Sequence, residues 1–281
     1  LHLRAPYVGA MSFSTRAPGG FTDGSLERFR QLQGVISLFL APVLTQQAAS
    51  VVLSAYMGVD PARRVMEGSV RLGEIGELDA VIGFVDMRHY SRASQELDGR
   101  QLVELLDTFF TELHTLFSRT GGEILKFMGD GALFVFPISE GDLSEVCRRA
   151  ADAVEALDCR LDVVNESRER EGLRCIRYGL ALHTGRVMYG NIGAPRRMDF
   201  TVVGPAVNLA SRLEGLCGRL RLKVVVTEDF ARHLPGRYHS LGLHRVRGVE
   251  GTVEVFGAAG ASERDLGAHD LSPGVKEAEG P

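Results

Sequence analysis

Between Asp79 and Phe256 the spacing of apolar residues switches repeatedly between the two-residue period of a strand and the three-to-four-residue period of a helix. That alternation confines the chain to an α/β architecture, in which sheet and helices cover each other's apolar faces. The first run, Ala80 to Val85, is apolar, of strand length, and stops at Asp86. Leu102, Leu105, Leu106, Phe109, Phe110, Leu113, Leu116 and Phe117 then predict an amphipathic helix ended by Gly121-Gly122. Glu123 to Met128 and Ala132 to Phe136 are two short runs joined through Gly129-Asp130-Gly131, the pattern of a hairpin with a tight turn. A second long helix is expected over Leu143 to Arg170, a strand over Ile176 to Thr184, an arm from Asn191 to Asp199, and a strand over Phe200 to Val203. Pro205 opens a helix, where its missing N–H costs nothing. Leu222 to Val226, a helix from Glu228 and two final strands complete the series. The order predicts an α/β sandwich with a ferredoxin-like centre and a mixed β-sheet flanked by helices.

The flanks differ in character. Pro6 to Phe13 has strand composition, Ala17-Pro18-Gly19-Gly20 a turn, and helix-forming sequence follows from about Ser25. Residues 1–22 resemble the end of a GAF-type sensor domain, and with no leader after Leu1 the chain is expected to begin inside a larger cytoplasmic protein, downstream of a sensor segment. Gly34 to Met57 holds no charged residue and is long enough on paper to span a bilayer. Gln46 and Gln47 at its centre, Pro42 interrupting it, and the polar Ser50 and Ser54 favour a buried or dimer-forming helix over 23–57 instead, making a membrane partner the lesser expectation. Residues 58–78 read as a polar connector, 79–257 as the main domain, and 258–281, rich in Gly, Ala, Ser and Glu, as a disordered tail. The net charge of -4 supplies no basic field for nucleic acid. Cys147, Cys159, Cys175 and Cys217 form no C-x-x-C pair, so they read as reduced thiols.

Three groups of residues carry chemistry. Asp86 leaves the first strand and Asp130 sits in the hairpin turn; if those strands are neighbours, the two carboxylates converge and can hold two divalent ions, Mg²⁺ or Mn²⁺. Asn208 and Arg212 are four residues apart on one helix and share a face. An arginine there presents a planar fork of donors to phosphate oxygens and to charge building on phosphorus. Lys126 and Thr201 fall on two different strands. A pure donor with an acceptor fits adenine, whose N1 accepts and whose amino group donates, better than guanine, although a hydroxyl that can rotate discriminates less sharply than a carboxylate.

With these residues in place, the stretch from Asp79 to Phe256 resembles the catalytic domain of class III adenylyl cyclases. Phe84-Val85-Asp86-Met87 resembles the family's first metal motif, and Gly121 to Asp130 its base-selecting lysine followed by its second metal aspartate. The segment Thr201 to Glu214 resembles the one carrying the second base-selecting residue, the asparagine that orients the ribose and the arginine that stabilises the transition state. Arg247-Gly248 resembles a phosphate-binding Lys-Gly pair, with a different cation. Thr201 resembles the threonine of a microbial subgroup. The resemblance implies an adenylate cyclase that converts ATP to cyclic AMP and pyrophosphate. It also implies a homodimer whose sites are shared, Asp86 and Asp130 of one chain facing Lys126, Thr201, Asn208, Arg212 and Arg247 of the other. A guanylate cyclase and a catalytically silent nucleotide-binding dimer module are the alternatives.

Overall fold

In the N-terminal unit, residues 1–69, the Thr22 side chain accepts from the Ser25 N–H and opens helix α1 (Asp23–Met57). The computed structural model describes residues 12–69, 71–138 and 142–258. The strand expected at Pro6 to Phe13 lies outside them apart from Ser12 and Phe13, which form no regular element, and so does the tail beyond Ala258. Pro42 does not interrupt α1: so long a helix keeps its hydrogen-bond ladder on both sides of one missing N–H. None of its residues is buried, and with a mean hydropathy of 1.7 over its most apolar window it is long and apolar enough to cross a membrane. The expected connector contains a helix of its own, α2 (Val59–Met66). Asp60 in its first turn pairs with Arg63 and with Arg64, three and four residues on, which suits both the helix spacing and its dipole.

The second unit, residues 70–281, begins with strand β1 (Ile75–Met87), five residues ahead of the apolar run at Ala80. Its first residues are mostly exposed and carry no two-residue apolar period, Ile75 and Leu78 being three apart; their register with a later strand, Ile75 opposite Gly190, makes them strand. There follow α3 (Tyr90–Glu96), α4 (Gly99–Arg119), β2 (Glu123–Met128), β3 (Gly131–Pro137), α5 (Leu143–Arg170) and β4 (Tyr178–Ala194). Asp98 and Gln101 form a capping box at the start of α4. The expected arm is a hairpin: β4 continues to Ala194 and pairs with β5 (Arg197–Val203), Asn191 opposite Phe200. Glycines at 185, 190 and 193 hid the strand, since glycine is depleted in strands. The chain closes with α6 (Pro205–Leu220), β6 (Val224–Thr227), the short α7 (Glu228–Ala231), β7 (Tyr238–His244) and β8 (Val253–Ala258).

The eight strands form one mixed sheet ordered β2-β3-β1-β4-β6-β8-β7, with β5 paired to β4 off that path. β1, β2, β3 and β4 with α4 and α5 as crossovers reproduce the expected ferredoxin-like centre. Both faces of the sheet are covered, so its strands alternate between two cores. Val81, Val85, Phe134 and Phe136 pack with Leu105, Phe109, Leu113 and Phe117 of α4 and with the apolar face of α5. Ala80, Ile82, Leu133 and Val135 pack on the other side with Phe200 and Val202 of β5 and Val207 and Ala210 of α6. By the two-residue period of β1, Asp86 belongs to this second face.

Candidate active site

Asp86 ends the second-face series of β1, opposite Gly131 of β3, and the Met87 N–H donates to the Asp130 carbonyl at 3.1 Å. The hairpin turn is thereby tied to the strand end. Gly129 turns the chain at φ 66, in the left-handed region that a side chain disfavours. A Cβ on Gly131 would lie 2.7 Å from the Val85 carbonyl oxygen and 2.9 Å from Asp86 Oδ1, so only glycine lets the turn close over the carboxylate. Burial, and then the charge of Asp130, push the Asp86 carboxyl above the ordinary carboxylate range, against the opposing pull of Arg88.

Two hard oxygen donors whose repulsion a divalent cation would relieve fit Mg²⁺ or Mn²⁺. No group of three or more His, Cys, Asp or Glu among the described residues forms a complete cage. An ion held by Asp86 and Asp130 therefore takes the remainder of its shell from other oxygens, such as backbone carbonyls, water or a phosphate.

Behind the carboxylates lies an ion pair the sequence reading did not find. Arg88 Nη2 sits 2.9 Å from Glu214 Oε1 of α6 and 3.3 Å from the Glu214 carbonyl, with both side chains mostly buried. The guanidinium crosses a slot that glycines keep open: a Cβ on Gly179 would fall 1.9 Å from Arg88 Nη2, and one on Gly218 3.4 Å from Nη1. Despite the short distance, Glu214 Oε1 has no well-aligned hydrogen bond. Burial raises the Glu214 carboxyl from 4.5 to about 6; Arg88 opposes the rise, and the charges of Asp86 and Asp130 add to it.

An acid whose folded-state pKa is raised costs stability as pH climbs from its unfolded value through its folded one. For Glu214 that window runs from 4.5 to about 6, equivalent to about 2 kcal/mol. The metal-free protein is expected to lose about that much stability relative to its Glu214→Gln variant across the window. Denaturant titrations of both proteins at several pH values check this; parallel curves would remove the assignment.

Lys126 is aimed by a β-bulge. The β2–β3 register shifts between Ile124 and Lys126, so Leu125 is the extra residue, and both Leu125 and Lys126 turn to the second face. There Lys126 Nζ lies 2.5 Å from Asp199 Oδ2 of β5, and this pairing holds the Asp199 carboxyl below its usual range. Thr201, two residues on, shares the strand face of Asp199. Asp199 was not singled out in the sequence, although its spacing from Thr201 could have exposed it. Arg88 and Glu214 had no comparable signal, being 126 residues apart.

Asn208 and Arg212 are exposed on one side of α6, and Val207, Ala210 and Leu213 anchor the other. Arg247 is exposed in the turn between β7 and β8. A Cβ on Gly248 would fall 2.3 Å from Arg212 Nη1, so the Arg212 guanidinium rests on the backbone beside Arg247. Among the described residues, the side chains of Asn208, Arg212, Arg247 and Thr201 make no hydrogen bond or ion pair, leaving two free cations close together. The structure thus brings together Asp86 with Asp130, Lys126 with the Thr201 strand, and Arg212 with the Arg247 turn. No hydrogen bond or ion pair among the described residues joins the first group to the others within the chain; only Arg88–Glu214 connects the Asp86 strand end to α6.

A family model for the adenylate and guanylate cyclase catalytic domain matches residues 77–257. An adenylate cyclase of Anabaena cylindrica is 26% identical over 234 residues, covering 83% of this chain and 43% of that protein. The chain therefore spans less than half the length of that relative. The adenylyl cyclase CyaB from P. aeruginosa superimposes with a TM-score of 0.61 at 26% identity, over 69% of this chain and 100% of the other. The guanylyl cyclase Cya2 does so with a TM-score of 0.58 at 26% identity, over 67% and 95%.

Proposed function

Because the chain belongs to the adenylate and guanylate cyclase catalytic domain family, we propose that it converts ATP to 3′,5′-cyclic AMP and pyrophosphate in a homodimer whose sites draw residues from both chains. The observation that carries the reading is the convergence of Asp86 and Asp130 at one sheet end, with the Asp86 carboxyl raised by burial and by its neighbour. Asp86 and Asp130 would hold two divalent ions, Mg²⁺ or Mn²⁺, which when bound acidify the ribose 3′-hydroxyl and neutralise phosphate charge. The 3′-oxygen forms a bond to the α-phosphorus as the bond to the departing pyrophosphate breaks, and the hydroxyl proton passes to solvent. Asn208 of the partner chain orients the ribose. Arg212, free of any carboxylate, meets the charge that develops on the α-phosphate, and Arg247 beside it holds the pyrophosphate. Lys126 donates to adenine N1, while Thr201 accepts from the amino group. Catalysis is by positioning and electrostatics, with no covalent intermediate.

Asp199 gives the guanylate alternative a specific footing, since its carboxylate can accept the N1–H that guanine presents. Incubating the purified chain with Mn²⁺ and either ATP or GTP separates the readings by which cyclic nucleotide forms; neither product would sink both and leave a silent nucleotide-binding module. Asp199→Ala is expected to leave stability within about 0.5 kcal/mol, because the Lys126 pair is half-exposed. The same variant, which lacks the acceptor for guanine N1–H, should lower kcat/KM for GTP about tenfold and so raise the ATP:GTP ratio. An unchanged ratio would remove Asp199 from base selection.

The uncharged stretch of α1 is read as a dimer-forming helix that relays an upstream signal, on the strength of Gln46 and Gln47 at its centre. Retention of the chain in a detergent-free membrane pellet would replace this with a membrane span.

A further inference from the structure

We infer that Arg88 and Glu214 are positioning residues that join the carboxylate half-site and the arginine-bearing helix of one chain into a single body, so that each chain couples the geometry of the two shared sites. The inference rests on the shared-site reading above. Under that reading Asp86 and Asp130 of a chain serve one site, whereas Asn208 and Arg212 of the same chain serve the other. Arg88 lies two residues beyond Asp86, and Glu214 two residues beyond Arg212. Among the described residues, their ion pair at 2.9 Å, with the Arg88 bond to the Glu214 carbonyl, bridges those two functional groups of a chain.

Fold stability does not account for the pair. Val207, Ala210, Leu213, Leu216 and Cys217 already bury α6 against the sheet. A buried ion pair is weak evidence of stabilisation, and this one leaves Glu214 Oε1 without a well-aligned hydrogen bond. It also needs glycine at 179, where any Cβ would strike the guanidinium. What the arrangement does achieve is a fixed distance between the Asp86 strand end and the turn of α6 that carries Arg212. A planar fork lying flat in a slot resists sliding in a way that a flexible ammonium does not.

The test uses heterodimers. Mixing Asp130→Ala chains with Arg212→Ala chains leaves one intact composite site, with carboxylates from the second chain and Asn208, Arg212 and Arg247 from the first. Arg88→Ala alone would leave Glu214 buried without its counterion and risks unfolding, so the pair is removed together as Arg88→Met with Glu214→Leu, in one chain at a time. Coupling predicts that kcat of the restored site falls roughly 10- to 100-fold whichever chain carries the double substitution. A merely stabilising role predicts loss from neither placement, which overturns the inference. A local role at Asp86 predicts that Arg88→Lys in the chain supplying Arg212, whose own Asp86 lies outside the restored site, changes nothing, and that result overturns it too. Should the double variant lose its thermal transition, Arg88→Lys in the same two placements makes the same comparison. A mixture already inactive before any change at 88 or 214 would defeat the shared-site reading, and this inference with it.

Discussion

Asp86→Asn is expected to lower kcat by about a thousandfold or more, with KM for the nucleotide changed by less than about threefold. The substitution keeps the shape of the side chain and removes the charge that a divalent ion requires. Each tenfold loss of rate corresponds to about 1.4 kcal/mol of transition-state stabilisation, so losing several kcal/mol of charge neutralisation at the reacting phosphate accounts for the predicted fall. The structure adds a second expectation that separates loss of chemistry from loss of fold. Asp86 is a half-buried carboxyl pushed upward by burial and by Asp130, so neutralising it relieves repulsion in the metal-free protein. The variant's melting temperature should therefore equal or exceed the parent's when no metal is present, and a divalent ion should raise it less than it raises the parent's. Initial rates at saturating Mn²⁺, with thermal melts in chelator and in Mn²⁺, check both halves. Activity within tenfold of the parent would remove Asp86 from the metal site.

Asp130→Ala and Arg212→Ala proteins should each be inactive alone and recover about a quarter of the parent activity when mixed in equal amounts and allowed to exchange subunits. Random pairing makes half of the dimers mixed, and each mixed dimer has one intact site of two. The expectation follows from the shared-site reading; within the chain, no hydrogen bond or ion pair between described residues joins the carboxylates to Arg212 or Arg247 directly. Recovery requires Asp130 and Arg212 to act in one site from different chains, because no chain in the mixture carries both. A mixture as inactive as its components, under conditions where subunit exchange is demonstrated by a tag, would put the whole site inside one chain and defeat the dimer reading.

Much of the fold was legible before any coordinates, for reasons particular residues make plain. The spacing of Leu105, Phe109, Leu113 and Phe117 could only be a helix, and the glycine-flanked Asp130 could only be a turn. The candidate residues Asp86, Lys126, Asp130, Thr201, Asn208 and Arg212 stood out because their side-chain chemistry is local to short runs of sequence, whereas Arg247 was reached only through the family resemblance. Periodicity failed where backbone pairing rather than burial makes the element: the exposed start of β1, the glycine-interrupted end of β4, and the helix within the connector.

Local pattern settled most of the order of strands and helices and the identity of the polar groups at strand and helix ends, because each depends on residues a few positions apart, while the short α2 and α3 escaped it. The face on which Lys126 emerges was decided only in three dimensions, since it hangs on Leu125 being the bulged residue of a ladder with β3. So was the packing of Arg88 against Gly179 and Gly218, a fit between atoms that chain closure alone brings within reach. Register and steric fit are properties of pairs of segments, and a period read along one segment does not contain them.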